Sequence, residues 1–172
     1  VPRRGRSELL VGAHHGLGFL NPASGAFELF ADPEGGRPEM RFNDGKCDPR
    51  GRFFGGTMGV EKPRAPGSLY RLDPDRTLTR MLTGLGTSNG LAWSRDQRTM
   101  FFIDTPTYEV SAFDYDPESG SMTNRRAVVK FPSDTKARPD GMVIEEISAE
   151  GVVIFIKSAL KIKATGTGGG QA

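Results

Sequence analysis

At 172 residues, 36% of them hydrophobic, with 23 Gly and 12 Pro, the chain can bury a sizeable core and is too turn-rich for a bundle of long helices. Acids and bases alternate along it to a net charge of +2, the pattern of a solvated mixed surface, which asks for neither a nucleic-acid partner nor a membrane. No apolar run reaches membrane-spanning length, no signal-peptide core follows the basic residues 1–6, and Cys47 is the single cysteine. An intrachain disulfide is thus excluded, and a reducing, cytoplasmic setting is expected.

Three short strands open the chain: Leu9–Val11, Gly16–Leu20 and Ala26–Phe30. His14-His15 and Asn21-Pro22-Ala23-Ser24-Gly25 form the turns between them, the second built from residues that tolerate turn dihedrals. The two histidines invite a metal-pair reading, but adjacent strand residues point to opposite faces, so a turn role is expected. Residues 31–40 read as a connecting loop. A second unit follows through Asn43–Cys47, Gly51–Met58, Gly67–Leu72 and Leu78–Leu82. A third takes in Gly90–Trp93, Thr99–Asp104, Tyr108–Tyr115 and Arg126–Phe131. Its last turn, Asp116-Pro117-Glu118-Ser119-Gly120, echoes the one at 21–25. A fourth unit opens at Asp140-Gly141-Met142-Val143-Ile144.

Gly45, Gly90 and Gly141, each preceded by Asn or Asp and followed by a strand, are 45 and 51 residues apart. Four strands per unit at this period, with no recurring helix, predict an all-β fold of the β-propeller type. A β-sandwich is the competing architecture, but it gives no reason for the repeated Asn-Gly and Asp-Gly openings. Closed propellers need about 4–8 blades, and the sequence holds about three and a half. The expectation is therefore a partial propeller over residues 1–156, drawn from a longer protein, followed by a flexible or aberrant tail over 157–172.

In a propeller the innermost strands line a central channel, so equivalent positions of successive units converge on the axis. Asn43, Asp44, Asn89 and Asp140 hold those positions. They are hard oxygen donors of the kind that suit calcium or magnesium, with no His or Cys among them. The glycine in each opening lets the backbone approach an ion or substrate closely. A nucleophilic role for Cys47 would need a neighbouring base, and the spacing offers none.

Taken together, Arg-Phe-Asn-Asp-Gly-Lys-x-Asp-x-x-Gly-Arg-x-x-x-Gly-Thr-Met at 41–58, Ser-Asn-Gly-Leu-x-Trp-Ser at 88–94 and Pro-Asp-Gly-Met at 139–142 resemble the senescence-marker-protein/gluconolactonase/luciferin-regenerating-enzyme family. Gly-Ser-Leu-Tyr-Arg-Leu at 67–72, Ala-Phe-Asp-Tyr-Asp at 112–116 and Asn-Arg-Arg at 124–126 extend the likeness, which covers about residues 8–146. The resemblance implies a six-bladed propeller that hydrolyses sugar lactones, small-molecule substrates, with one divalent metal ion in the channel. Calcium is the first expectation, with zinc, manganese and magnesium as alternatives. By position, Asn89 and Asp140 match metal ligands, and Asp140 also the general base. Arg41, Asn43 and Glu61 match substrate-binding positions, and Asp104 a position near the channel. The family's remaining ligand, a first-blade Glu, has no counterpart here. Beyond Met142 the likeness fades, because Ile147–Ile154 lacks the aromatic residue of the family strand. Two other functions share these features: a non-catalytic calcium-binding scaffold, and a related propeller hydrolase acting on other esters or phosphotriesters.

Overall fold

The computed structural model describes residues 1–172 except 4, 63, 135–137, 149–150, 157–160 and 164–172, with side chains through residue 143. Its strands form four antiparallel meanders taken in chain order. The first is β1 (Leu9–Ala13), β2 (Gly16–Leu20) and β3 (Phe27–Ala31). The second is β4 (Met40–Cys47), β5 (Phe53–Gly59), β6 (Gly67–Leu72) and β7 (Leu78–Leu85). The third is β8 (Ser88–Trp93), β9 (Thr99–Asp104), β10 (Glu109–Tyr115) and β11 (Met122–Lys130), with a 3-10 turn at Thr105–Thr107. The fourth is β12 (Met142–Ser148), β13 (Gly151–Ile156) and β14 (Lys161–Lys163). Strand β14 lies within the stretch expected to be a tail; the rest of 157–172 is outside the described residues.

The first strands of the sheets lie side by side, β1 against β4, β4 against β8 and β8 against β12, so they form the inner wall of an arc. Three apolar clusters fill the spaces between consecutive sheets. Leu17, Phe42, Phe53, Tyr70 and Leu72 pack between the first and second. Phe54, Leu69, Leu85, Leu91, Met100, Phe102, Phe113 and Tyr115 pack between the second and third. Ala92, Ile103, Val110 and Met142 pack between the third and fourth. Radial stacking of this kind explains the adjacent pair Phe53-Phe54. Neighbouring strand residues face opposite ways, so each ring enters a different inter-sheet core. Strand β5 is accordingly buried along its whole length, whereas the outer β11 is exposed along most of its length. This is a β-propeller, of which the chain forms a part.

Polar clamps reinforce the stacking. Asp48, at the β4–β5 turn, is held by the Arg52 Nε–H at 2.6 Å and by the Tyr115 hydroxyl of the next sheet. Arg52 also donates to the carbonyls of Pro117 and Glu118 in the β10–β11 turn. On the other side, buried Glu34 accepts from the Thr57 and Tyr70 hydroxyls and pairs with Arg37 at 2.9 Å. The echo between 21–25 and 116–120 is structural as well. Gly25 and Gly120 both have positive φ, and their N–H groups donate to Asn21 O and Asp116 O, each at 2.8 Å. Among the described residues no helix is long and apolar enough to cross a membrane.

The repeated openings require one correction. Asn43-Asp44 and Asn89-Gly90 do not precede the inner strands; they lie within β4 and β8, at register shifts between Phe42 and Gly45 and between Asn89 and Leu91. A bulge frees one or two residues from the ladder and re-aims their side chains. The loop expected over 31–40 is trimmed at both ends, since Ala31 belongs to β3 and Met40 to β4.

Candidate functional site

At Gly90 a side chain would have no room. A Cβ there would lie 2.7 Å from the Asp140 carbonyl oxygen and 2.8 Å from both Met142 Cβ and Ile103 Cδ1. The missing side chain lets the entry to β12 press against β8, which brings the backbone of Asp140 beside Asn89. Asn89 is buried at 6% exposure, whereas Asp140 is exposed.

A hydrogen-bonded chain joins these residues from β4 through β8 to the segment that leads into β12. Asn43 on β4 donates its Nδ2–H to the Ser88 carbonyl at 2.9 Å. Asn89, the next residue, donates Nδ2–H to Thr105 Oγ1 at 2.8 Å, and that hydroxyl donates to the Pro139 carbonyl at 2.8 Å. Pro139 is peptide-bonded to Asp140. Three expected site residues, Asn43, Asn89 and Asp140, are therefore linked through Ser88, Thr105 and Pro139.

Arg41, half-buried on β4, donates one guanidinium N–H to the Phe42 carbonyl at 2.9 Å. Five donors in all leave that group capacity for a ligand. Asp44 Oδ1 accepts the Gly45 N–H at 2.8 Å. Lys46 reaches over β8 and donates to the Met142 carbonyl at 3.1 Å. Glu61 is exposed on the β5–β6 loop, which is tied to the mouth of β8 through Arg64 and Thr87, 3.0 Å apart.

Asp104 takes a different position from the others. It is buried at 6% exposure, and its carboxylate accepts the N–H groups of Gly86 and Thr87 at 2.8–3.1 Å. It braces the β7–β8 turn, and its successor Thr105 is the residue that reaches the Asn89 amide. Neither Thr105 nor Lys46 is singled out by the repeat pattern. The signal for Thr105 was a polar residue at the end of β9 and next to Pro106; for Lys46 it was a cation on an inner strand.

Asn89 and Asp140 offer hard oxygen donors on adjacent inner elements, the donor class that suits a divalent cation. Thr105 occupies the Nδ2 end of the Asn89 amide and so leaves Oδ1 as its lone-pair end. Among the described residues no group of three or more His, Cys, Asp and Glu could hold a metal by itself. His14 and His15 occupy a turn, as expected, and their rings stack at 4.6 Å. His14 Nε2 is hydrogen-bonded to the Pro38 carbonyl. Burial pushes the Cys47 thiol up from its ordinary value of 9.0, which favours the protonated, weakly nucleophilic form.

The family model described as "SMP-30/Gluconolactonase/LRE-like region" matches residues 1–159. The chain is 36% identical over 150 residues to the Bacillus subtilis (strain 168) protein named "Putative sugar lactone lactonase YvrE", covering 87% of this chain and 51% of that one. It is 47% identical over 111 residues to regucalcin of Danio rerio, covering 63% of this chain and 37% of that one. A solved luciferin-regenerating enzyme superposes with a TM-score of 0.80 at 26% identity, over 95% of this chain and 61% of its own. The chain thus spans about half the length, or less, of these curated relatives. With nearly every sheet inside the matched region, the chain belongs to the SMP-30/gluconolactonase/LRE-like family.

Proposed function

We propose that the protein is a sugar lactone hydrolase whose site is assembled from Arg41, Asn43, Asn89 and Asp140 and takes one divalent cation. The observation that carries this reading is the relay from Asn43 through Ser88, Asn89 and Thr105 to Pro139, which links two inner strands to the segment leading into a third. Asn89 and Asp140 would hold the cation, for which calcium is the first choice on donor type. When bound, such an ion acts as a Lewis acid toward the lactone carbonyl.

The chain's own residues supply the rest of the chemistry. Arg41 and the polar groups of Asn43 hold the sugar hydroxyls and ring oxygen, fixing the carbonyl carbon relative to Asp140. Asp140, exposed to solvent, takes a proton from the attacking water. The water oxygen bonds to the carbonyl carbon, the ring C–O bond breaks, and the ring oxygen leaves as a hydroxyl after receiving that proton back from Asp140. The product is the open-chain sugar acid. Glu61 contributes from the loop over the mouth.

The test is hydrolysis of a panel of aldonolactones by the protein with calcium, zinc, manganese or magnesium supplied separately. Asp140→Ala is expected to abolish turnover, and Arg41→Ala chiefly to raise KM. Folded protein that hydrolyses no lactone with any of the four ions overturns the proposal. Ion binding without turnover would point instead to a binding module.

A further inference from the structure

We propose that Thr105 is the positioning residue of this site, its single hydroxyl orienting both the Asn89 amide and the peptide unit that carries Asp140. The inference rests on the site reading given above and deepens it. A threonine hydroxyl has one hydrogen and two lone pairs. Here the hydrogen goes to the Pro139 carbonyl at 2.8 Å and a lone pair takes the Asn89 Nδ2–H at 2.8 Å.

Each bond fixes a different group. Holding Nδ2 sets the rotation of the Asn89 amide plane, so Oδ1, the only metal-competent atom of that side chain, has a defined direction. Holding the Pro139 oxygen acts through the planar peptide, because that oxygen, the nitrogen of residue 140 and its Cα share one plane. The two donors, one on β8 and one in the segment leading into β12, are thereby referenced to one atom.

Thr105 is itself well anchored. It is buried at 8% exposure, and its backbone N–H donates to the Thr87 carbonyl at 3.0 Å. Asp104, the preceding residue, holds the Gly86 and Thr87 N–H groups. The end of β9 therefore grips the entry to β8 at three points, with the Thr105 hydroxyl extending that grip to the entry of β12. A β-branched side chain adds stiffness at χ1, which keeps the hydroxyl from swinging away. No described contact gives Thr105 a role in the reacting chemistry.

The test compares Thr105→Val, which keeps the shape and loses the hydroxyl, with Thr105→Ser, which keeps the hydroxyl. Three readouts are taken below the melting temperature of each variant: solvent exchange of the Asn89 side-chain amide protons by NMR, binding of calcium and manganese ions by calorimetry, and the kcat and KM of aldonolactone hydrolysis. Thr105→Val is expected to expose the Asn89 amide protons to exchange and weaken ion affinity by about 10–100-fold, with Thr105→Ser recovering most of it. Wild-type ion affinity and amide protection in Thr105→Val would overturn the proposal. So would a Thr105→Ser variant as impaired as Thr105→Val, because the methyl group's packing would then be what matters. If the wild-type protein binds neither ion, the metal reading falls, and amide exchange alone decides for or against Thr105.

Discussion

Gly90→Ala adds one methyl group where the inner strands of the third and fourth sheets touch. Its Cβ would lie 2.7 Å from the Asp140 carbonyl oxygen and 2.8 Å from Met142 Cβ and Ile103 Cδ1. Ordinary contacts are about 3.3–3.6 Å for carbon to oxygen and about 3.5–4.0 Å for carbon to carbon, so each is short by at least about 0.6 Å. Ile103 can yield by turning its terminal methyl. The Asp140 carbonyl and Met142 Cβ belong to the backbone entering β12 and can yield only if that segment slides away from Asn89. Overpacking of this kind costs about 1–3 kcal/mol, which lowers Tm by about 2–12 °C in a domain of this size. A shift approaching 1 Å between Asp140 and Asn89 should cost turnover up to about a hundredfold. Thermal unfolding and lactone hydrolysis, measured on the same preparation, check both parts. A Gly90→Ala protein with wild-type Tm and wild-type kcat/KM would refute the close-approach argument.

Asp48→Ala removes one partner of a buried ion pair and leaves Arg52 and the Tyr115 hydroxyl without it, which should cost about 3–5 kcal/mol in urea unfolding. A loss below about 1 kcal/mol, the value of an exposed pair, would show that the clamp is not holding the second and third sheets together. Burial raises the phenols of Tyr70 and Tyr115 above the ordinary 10.0, aided in Tyr115 by its hydrogen bond to Asp48. The folded chain therefore keeps protons that the unfolded chain releases, so stability is full below pH 10 and falls as pH rises beyond it. Tyr115→Phe should flatten that alkaline decline, and an unchanged slope would count against the assignment. Asp104→Ala should destabilise by about 1–3 kcal/mol through two orphaned N–H groups, while leaving the chemistry of folded protein largely intact. Lost turnover at unchanged stability would show instead that the Asp104 carboxylate takes part in the chemistry.

The architecture was legible because the β-propeller repeats its punctuation. Turn signals at 21–25 and 116–120 are the same five-residue device in the structure. That Phe53 and Phe54 enter two different inter-sheet cores emerges only from the structure. Asn43, Asn89 and Asp140 stand at equivalent repeat positions, and hydrogen bonds through Ser88, Thr105 and Pro139 link the three. What the sequence concealed was how they meet. An Asn-Gly pair has the same letters whether it opens a strand or forms a bulge inside one, and the difference lies in cross-strand register, a non-local quantity. Asp104 and Thr105 show the same limit at one-residue resolution. They are consecutive polar residues where β9 gives way to the 3-10 turn, yet the carboxylate turns to the β7–β8 turn and the hydroxyl to Asn89. Asp104 is the last residue of β9 and Thr105 the first of the 3-10 turn, so the change of direction falls at a boundary that sequence pattern does not fix.

The relay also ties the site to the packing of the sheets. Two of its acceptors, the Ser88 and Pro139 oxygens, are main-chain atoms, so their positions report where neighbouring sheets sit and not how a side chain rotates. Ser88 is fully buried against Gly56 of the second sheet, and Met142, two residues beyond Asp140, fills the third inter-sheet core with Ile103 and Val110. A slight change in the spacing of adjacent sheets must therefore move Asn43 relative to Asn89, or Asn89 relative to Asp140. Side chains on flexible stems could absorb such a change; main-chain carbonyls have far less freedom to do so. The glycines at 56 and 90 set that spacing, because each stands where a Cβ would push two sheets apart. In this chain, then, the residues that determine the geometry of the site include two with no side chain at all.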